Sequence, residues 1–418
     1  MSKISLKHSG GNVVSLNSPT NAPGAADVAF KLPNADGSDG QALVTDGAGN
    51  LSFANAGSGT ARNLIINGAM QVAQRGTSST GNLYQTIDRI RTSSGNLGSI
   101  NLTQSQQQLA SSDTPYSSGF RYFYRAALSG AGTVNANGYI GISQRLEAQD
   151  IAQSGWNYTS ASSNITLQFW FRCSTNQTFY GILETSDGTP YSYPFAFTAS
   201  GDNAWTKITK TIPGNSNLQF DTDTPANAAD RGLKVGFTPW YGTDYTGSKT
   251  ADAWSAYSGS AEYPDYASTW LTAGASTFDI TGVQLEVGSV ATDFEHRSFG
   301  QELALCQRYF HTLEGDDNDF LEIGFSVNCN NHYMQHNFPQ PMRIMPSYSS
   351  TSTNIDLLTA NSSTNINANT LAIVGPNNTP NPYSCWLYGN TSCSTTAGQA
   401  AVFRPNANGL VMSFSAEL

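Results

Sequence analysis

The chain has little charge for its length. Only 12% of its 418 residues are Asp, Glu, Lys or Arg, against roughly 25% in an ordinary soluble domain. Long helices draw heavily on charged residues, so this deficit disfavours a helical protein. The polar surface must be built from Ser, Thr, Asn, Gln and 39 glycines. Such a composition is typical of short strands joined by many turns.

Clustered basic residues and long apolar runs are also missing. The 20 Lys and Arg residues are scattered and the net charge is −10, so we expect no nucleic acid partner, because duplex binding needs a cationic surface. No stretch approaches the ~18 apolar residues of a membrane span, so no membrane insertion is expected. The five cysteines are odd in number and widely spaced, which does not suit a disulfide framework. We expect reduced, buried thiols.

No catalytic motif is found, neither a nucleophile elbow nor a phosphate-binding glycine loop. The sequence therefore predicts a protein that is not an enzyme and has no catalytic residues and no cofactor. Cys329, His332 and His336 have a spacing that superficially suits a metal. On a strand, however, the two histidines would lie about 13 Å apart, too far to share one ion. We predict no metal site within one chain, and a histidine repeated around an oligomer axis stays open.

Periodicity predicts an all-β fold with three parts. Ile165, Leu167, Phe169 and Phe171 alternate with more polar positions, as on a half-buried strand. At Thr281-Gly282 the apolar phase slips by one residue, which indicates a β-bulge. We predict an arm over residues 1–60, a β-sandwich or jelly roll over 61–297, and a helix with a smaller C-terminal β-domain over 298–418. The Asn/Ser/Thr-rich stretches 347–367 and 375–384 are predicted loops.

The arm has almost no core of its own. Val28–Leu32, Gln41–Thr45 and Leu51–Phe53 read as three very short strands, with a turn at Asp46-Gly47. A piece of this size needs other copies or a partner surface for stability. The Gly/Ser stretch 56–60 is a predicted linker.

One helix is expected, over about residues 299–311. Ser298 and Gln301 match a capping box, and apolar residues follow at helical spacing. The predicted apolar stripe consists of Phe299, Leu303, Cys306 and Phe310. It would pack against other copies in an oligomer, and Glu302 is expected to lie outside it.

Residues 239–270 are crowded with aromatic side chains and carboxylates. Exposed rings on loops can stack on sugars while nearby polar groups bind hydroxyls. The candidate glycan-binding residues are Trp240, Tyr241, Asp244, Asp252, Trp254 and Tyr257. Alternatively, these rings fill an irregular sandwich edge or a subunit contact, where Tyr and Trp are also enriched.

Several segments resemble tail-fibre-like virion proteins of tailed bacteriophages, of the type found in phages of marine bacteria and cyanobacteria. The segments that carry the resemblance are FKLPNADGSDGQALVTDGAGNLSF (30–53), NLIINGAMQVAQRGTS (63–78), TIDRIR (86–91), QRLEAQDIA (144–152), ITLQFWFR (165–172), FDITGVQLEVGSVATDFEHRSFGQELALCQRYF (278–310), FPQPMRIMPS (338–347) and SFSAEL (413–418). In that family, such segments belong to an N-terminal repeat, a carbohydrate-binding-module-like jelly roll and a downstream β-domain. The long aromatic stretch near 239–270 departs from the usual pattern.

The resemblance implies a structural subunit of the virion, made in the bacterial host cytoplasm and placed on the tail or capsid surface. It implies a homotrimeric tail fibre whose arm binds other virion proteins and whose β-domains contact host surface polysaccharide. One alternative is a head-decoration or head-fibre protein of the capsid. Another is a polysaccharide depolymerase, for which no acid pair can be assigned from sequence spacing.

Overall fold

The computed structural model describes most of the chain beyond the arm. The described residues are 3–7, 13–17, 31–34, 36–37, 41–45, 50–55, 62–130, 134–199, 201–220, 231–265, 267–351, 355–359, 362–365, 372–374, 382–390 and 396–418. The chain divides into two compact units, Met1–Thr60 and Ala61–Leu418.

The first unit contains two antiparallel hairpins. Strand β1 (Lys3–Lys7) pairs with β2 (Val13–Asn17), and β3 (Gln41–Thr45) pairs with β4 (Leu51–Asn55). The strands predicted at 41–45 and 51–53 are confirmed, whereas most of the one predicted at 28–32 and the turn at 46–47 lie outside the described residues. Leu43 is 52% exposed, so this hairpin buries little apolar surface of its own.

The second unit begins with a β-sandwich of two six-stranded antiparallel sheets. Its strands are β5 (Ser78–Ser79), β6 (Arg91–Gly95), β7 (Asn101–Gln108), β8 (Tyr122–Ser129), β9 (Tyr139–Glu147), β10 (Asn164–Cys173), β11 (Gln177–Thr185), β12 (Tyr191–Ala199), β13 (Thr206–Pro213), β14 (Arg231–Tyr241), β16 (Ser255–Ala256) and β18 (Thr277–Val287). Two further short strands, β15 (Thr246–Gly247) and β17 (Tyr263–Pro264), form a separate parallel pair. The first sheet has the order β13-β10-β18-β8-β7-β5 and the second β16-β12-β11-β14-β9-β6. Their inner faces share one aromatic-rich core.

The remaining strands build a smaller β-structure with its own core. They are β19 (Phe310–Gly315), β20 (Glu322–Ser326), β21 (Asn331–Asn337), β22 (Ser347–Ser350), β23 (Ile355–Thr359), β24 (Ser362–Asn365), β25 (Ala372–Val374), β26 (Ser384–Asn390), β27 (Ala400–Pro405) and β28 (Leu410–Ser415). The sheet orders are β19-β28-β22 and β24-β23-β27-β20-β21-β26-β25. The loop predicted over 347–367 is wrong, because β22, β23 and β24 lie within it. The all-β fold class is confirmed.

Four short helices occur in the described residues, where the sequence predicted one. They are α1 (Thr114–Ser117), α2 (Ala148–Ala152), α3 (Thr269–Thr272) and α4 (Phe299–Gln307). The first three are single turns inside connections, too short to leave an amphipathic signal.

The alternation in β10 is confirmed, and the bulge predicted at Thr281-Gly282 is found in the neighbouring strand β18. Leu167 and Phe169 are fully buried in the core. Gln168 on the other face is buried as well, and its amide donates to the carbonyl of Thr292 at 2.6 Å, which offsets the cost of burial. The register between β10 and β18 shifts between Gln168 and Trp170. Gly282 opposite this shift has φ +62°, and a Cβ there would lie 2.7 Å from the ring of Phe120.

Helix α4 has the predicted capping box, but its buried face is not the predicted one. Ser298 and Gln301 cap each other reciprocally. Glu302, expected off the buried stripe, is only 4% exposed, whereas Phe299 is 56% exposed. The backbone N–H of Asn67 donates to the Glu302 carboxylate at 2.5 Å, and this bond offsets the cost of burying the carboxylate.

The four residues of the predicted stripe therefore lie in different environments. Leu303 is half-buried on α4, while Cys306 is buried beneath the helix. Phe310 is buried in β19, beyond the end of the helix, with the guanidinium of Arg75 3.4 Å above its ring. A single apolar stripe over the four residues is wrong, because the helix stops at Gln307.

The expectation of reduced cysteines holds for three of them. Cys173, Cys306 and Cys385 are free and buried. Burial raises the pKa of the Cys173 and Cys385 thiols to about 12, so these thiols stay protonated at neutral pH. Cys329 is disulfide-bonded, and for this residue the expectation is wrong.

Candidate functional site

The outer face of the second sheet carries polar and aromatic side chains. Ile140, Ile142 and Val235 point into the core, so their neighbours in β9 and β14 point to the opposite face, because side chains alternate along a strand. The chain after β14 runs over this outer face. The hydroxyl of Thr238 on β14 donates to the hydroxyl of Tyr263 on β17 at 2.7 Å, which ties the covering segment to the sheet.

A pocket of about 60 Å³ opens on this face. Small residues from two adjacent strands leave the space, namely Ser93 on β6 with Gly141 and Ser143 on β9. A Cβ on Gly141 would lie 3.3 Å from the hydroxyl oxygen of Tyr241. The missing side chain at position 141 therefore helps to keep the pocket open.

Three cationic side chains line one side of the pocket. They are Arg91 on β6, Arg145 on β9 and Lys234 on β14. Arg91 is opposite Ser143 in the β6–β9 register, and Lys234 is opposite Arg145 in the β9–β14 register. Directly opposed side chains lie about 5 Å apart and diagonal ones about 7–8 Å. The three cations therefore converge on one small area.

Tyrosines form the other side. The rings of Tyr241 and Tyr263 meet edge to face at 5.1 Å, and Tyr139 and Tyr245 lie 5.9 and 5.4 Å from Tyr241. Burial, helped by the charge of Glu262, raises the pKa of the Tyr241 hydroxyl well above its usual range. This hydroxyl keeps its proton at neutral pH and can both donate and accept hydrogen bonds.

Two glutamates lie beside the pocket but do not line it. Glu184 binds Lys234 at 2.7 Å and Arg231 at 3.3 Å. Glu262 is buried and accepts a hydrogen bond from Tyr257 at 3.1 Å. Burial raises the pKa of Glu262, with Lys234 opposing the shift and Glu184 adding to it. The charge of Glu184 therefore acts on Glu262. The expected absence of enzymatic activity stays a prediction.

The structure does not bring the six predicted glycan-binding residues into one site. Tyr241 lines the pocket. Trp240 is only 3% exposed and packs in the sandwich core, so neither face of its ring is accessible to a sugar. Asp244 is exposed on the loop after β14.

The other three predicted residues hold the covering segment in place. Trp254 is half-buried, with its ring 5.3 Å from Tyr193 and its Nε1–H donating to the carbonyl of Pro213 at 2.7 Å. Asp252 is exposed and lies 3.3 Å from Lys210. Tyr257 is 36% exposed, and its hydroxyl donates a hydrogen bond to Glu262. The contacts of Trp254 fit the alternative interpretation, in which the rings cover an edge of the sandwich, better than they fit stacking on a sugar.

Sequence reasoning missed the three cations because they come from strands far apart in the chain. A usable signal was present in β9, where the partly exposed Gly141 and Arg145 alternate with the buried Ile140, Ile142 and Leu146. Small and cationic residues alternating with apolar ones mark a solvated sheet face. The pairing of β9 with β6 and β14, which completes the set, is not visible in one sequence.

The histidines of β21 take up separate structural roles. His332 bonds to the hydroxyl of Ser326 at 3.0 Å, and His336 to the carboxylate of Glu322 at 2.9 Å. Within the described ranges, no group of three or more His, Cys, Asp or Glu side chains could hold a metal ion. No helix in that same part of the chain is long and apolar enough to cross a membrane.

No family model and no curated protein matches the sequence. Among solved structures, the enzymatically active domain of tailspike protein 4 of bacteriophage CBA120 aligns over 54% of this chain and 22% of its own, at 10% identity and a TM-score of 0.28. The N-terminal cellulose-binding domain of Cellulomonas fimi β-1,4-glucanase C aligns over 53% and 99%, at 9% identity and 0.26. The CBM22-1 xylan-binding domain of Paenibacillus barcinonensis Xyn10C aligns over 51% and 94%, at 8% identity and 0.23. Similarities this weak do not decide the function of this chain.

Proposed function

We propose that this chain is a fibre subunit of a phage virion whose β-sandwich binds a host-surface glycan through the outer face of its second sheet. The observation that carries the glycan part is the pocket between Arg91, Ser143 and Tyr241. Sugar sites combine apolar ring surface with a few convergent hydrogen-bonding groups. The half-buried Tyr241 supplies ring surface, and hydroxyls and cations supply the polar groups.

The fibre part of the proposal is supported by the segments that resemble tail-fibre-like proteins and by exposed apolar surface on α4. Phe299 is 56% exposed and Leu305 36%, and apolar side chains in such positions are often covered in an oligomer. In a homotrimer we expect these side chains to be buried between copies. Native mass measurement at micromolar concentration should give three times the chain mass, and Phe299→Asp should lower it. A stable wild-type monomer contradicts the trimer.

The glycan site is tested by filling the pocket from its edge. Ser93 is partly exposed on β6, the last strand of the second sheet, so Ser93→Trp would place an indole across the opening without entering the core. Thr209→Trp is the matched control, because Thr209 is exposed on β13, the last strand of the first sheet.

Binding is measured on an array of bacterial surface polysaccharides. We expect wild-type protein and Thr209→Trp to bind the same spots, and Ser93→Trp to bind them at least about tenfold more weakly, with an unchanged melting temperature. Undiminished binding by Ser93→Trp would move the site elsewhere. No binding by wild-type protein would refute the glycan-binding function.

A further inference from the structure

We infer that the glycan bound in this pocket carries an anionic group, a carboxylate or a sulfate ester, which the cations of β6, β9 and β14 recognise. This inference rests on the proposed glycan-binding function and narrows it to acidic polysaccharides.

The charge of the pocket is opposite to that of the whole chain. The chain has a net charge of −10, yet Arg91, Arg145 and Lys234 line the pocket, and none of its described lining residues is Asp or Glu. A cleft lined by one sign of charge concentrates ligands of the opposite sign. Acidic surface elsewhere would disfavour non-specific contact with an acidic polymer, so binding would be confined to this pocket.

Two of the three cations of the pocket keep unused hydrogen-bonding capacity. Arg91 donates to the hydroxyl of Ser93 and forms no ion pair among the described residues. Arg145 donates from Nη1 to a main-chain oxygen of Leu418 at 2.7 Å, while its buried Nε–H has no hydrogen-bond partner in the described part of the chain. A buried donor of this kind is rare and requires a partner. Lys234, in contrast, is already bound to Glu184.

The field at Arg145 favours an incoming anion. Burial lowers the pKa of Arg145, and the positive charges of Arg91 and Arg231 act in the same direction, whereas Tyr84 and Glu184 oppose the shift. An anion between these groups would relieve the repulsion between like charges. A neutral sugar would instead cover Arg91 and Arg145 without meeting their charge, and buried polar groups that lack a partner cost binding energy.

The size of the pocket suits a charged group better than a whole sugar ring. A volume of about 60 Å³ holds about four water molecules, which is enough for a carboxylate or sulfate. Arginine binds such groups through paired N–H donors. The sugar ring would then lie at the opening, beside Tyr241.

The test prints each acidic polysaccharide beside a neutral counterpart. Uronate polymers are printed in native and carboxyl-reduced form, and sulfated polymers in native and desulfated form, so that the two sources of negative charge are distinguished. We expect the protein to bind native acidic spots and to lose at least about tenfold in signal on their neutral counterparts. Equal binding to both forms overturns the anionic ligand but leaves glycan binding intact. Binding to no spot overturns both.

The variant Arg91→Met tests whether the acidic polysaccharides bind in the pocket. This variant keeps most of the apolar stem and removes the charge, so binding to acidic spots should fall about tenfold and the remaining binding should depend less on salt. The control is Arg121→Met, because Arg121 is exposed outside the pocket and its loss should change binding less than about twofold. An equal effect of the two substitutions, with both variants folded, would overturn the inference.

Discussion

The guanidinium of Arg89 forms an ion pair with the carboxylate of Glu417, and both side chains are buried. Arg75 reaches the same carboxylate at 3.1 Å, and the ring of Tyr309 lies 3.4 Å from the Arg89 guanidinium. The pair joins the start of the sandwich to the last strand region of the smaller β-structure. It is one of the contacts that link the two cores within residues 61–418, which form one compact unit.

Glu417→Ala should destabilise this whole unit. The substitution leaves the fully buried Arg89 without its carboxylate, and removing one partner of a buried ion pair costs roughly 3 kcal/mol. The midpoint of urea unfolding should fall accordingly. Glu314→Ala is the control, because Glu314 is exposed on β19, and it should shift the midpoint little. Similar midpoints for the two variants would show that the pair contributes no net stability.

Glu302→Lys should destabilise the protein more than Leu303→Asp. Lysine would lose the bond from the Asn67 N–H and would place a second cation near Arg297, whose Nη1 lies 3.5 Å from the Glu302 carboxylate. We expect a loss of roughly 3 kcal/mol. Leu303 is half-buried, so its replacement should cost about 1 kcal/mol. Thermal unfolding of the two variants compares them, and the reverse order would contradict the buried position of Glu302.

The case of α4 shows what sequence periodicity can and cannot predict. The capping box depends on Ser298 and Gln301, three residues apart, and was predicted correctly. The buried face depends on a bond between Glu302 and the backbone of Asn67, more than 200 residues away. Apolar spacing predicted Phe299 inside and Glu302 outside, because a carboxylate is normally excluded from the interior unless it is paired. The partner lies on another element, and a single sequence does not show it.

The same limit applied to the candidate site. The Ile165–Phe171 alternation and the bulge near Gly282 were predictable, because both are properties of one strand. The pocket is a property of the register among β6, β9 and β14, which places Arg91, Ser143 and Lys234 together. The aromatic content of residues 239–270 instead led to the prediction of a glycan site there, although Trp240 belongs to the core.

Trp254→Ala should lower stability, not only glycan binding. The substitution removes the ring contact with Tyr193 and the hydrogen bond to Pro213, so we expect a loss of about 2 kcal/mol in thermal or urea unfolding. Trp254→Phe keeps a ring at this position and should lose about half as much. If Trp254→Ala melts like wild type and binds glycan more weakly, the ring is part of the binding surface.

His311 should make the smaller β-structure sensitive to acid. Its ring stacks on His336 at 5.2 Å, and His336 is held by Glu322, while the buried Nδ1 of His311 has no hydrogen-bond partner in the described part. Burial, and then the charge of His336, lowers the pKa of His311 to about 4. Above pH 6.5 the ring is neutral in both the folded and the unfolded state, so it has no effect on stability. Between pH 6.5 and 4 the unfolded chain takes up the proton more readily, so stability falls by up to about 2 kcal/mol once solvent screening at this half-buried ring is included.

Urea unfolding at pH 4.5 and pH 7 measures this acid-induced loss of stability. His311→Phe keeps the stacking and should reduce the loss. His296→Phe, at an exposed position of the sandwich, is the control and should leave the loss as in wild type. An unchanged loss in His311→Phe would assign the acid sensitivity to another group.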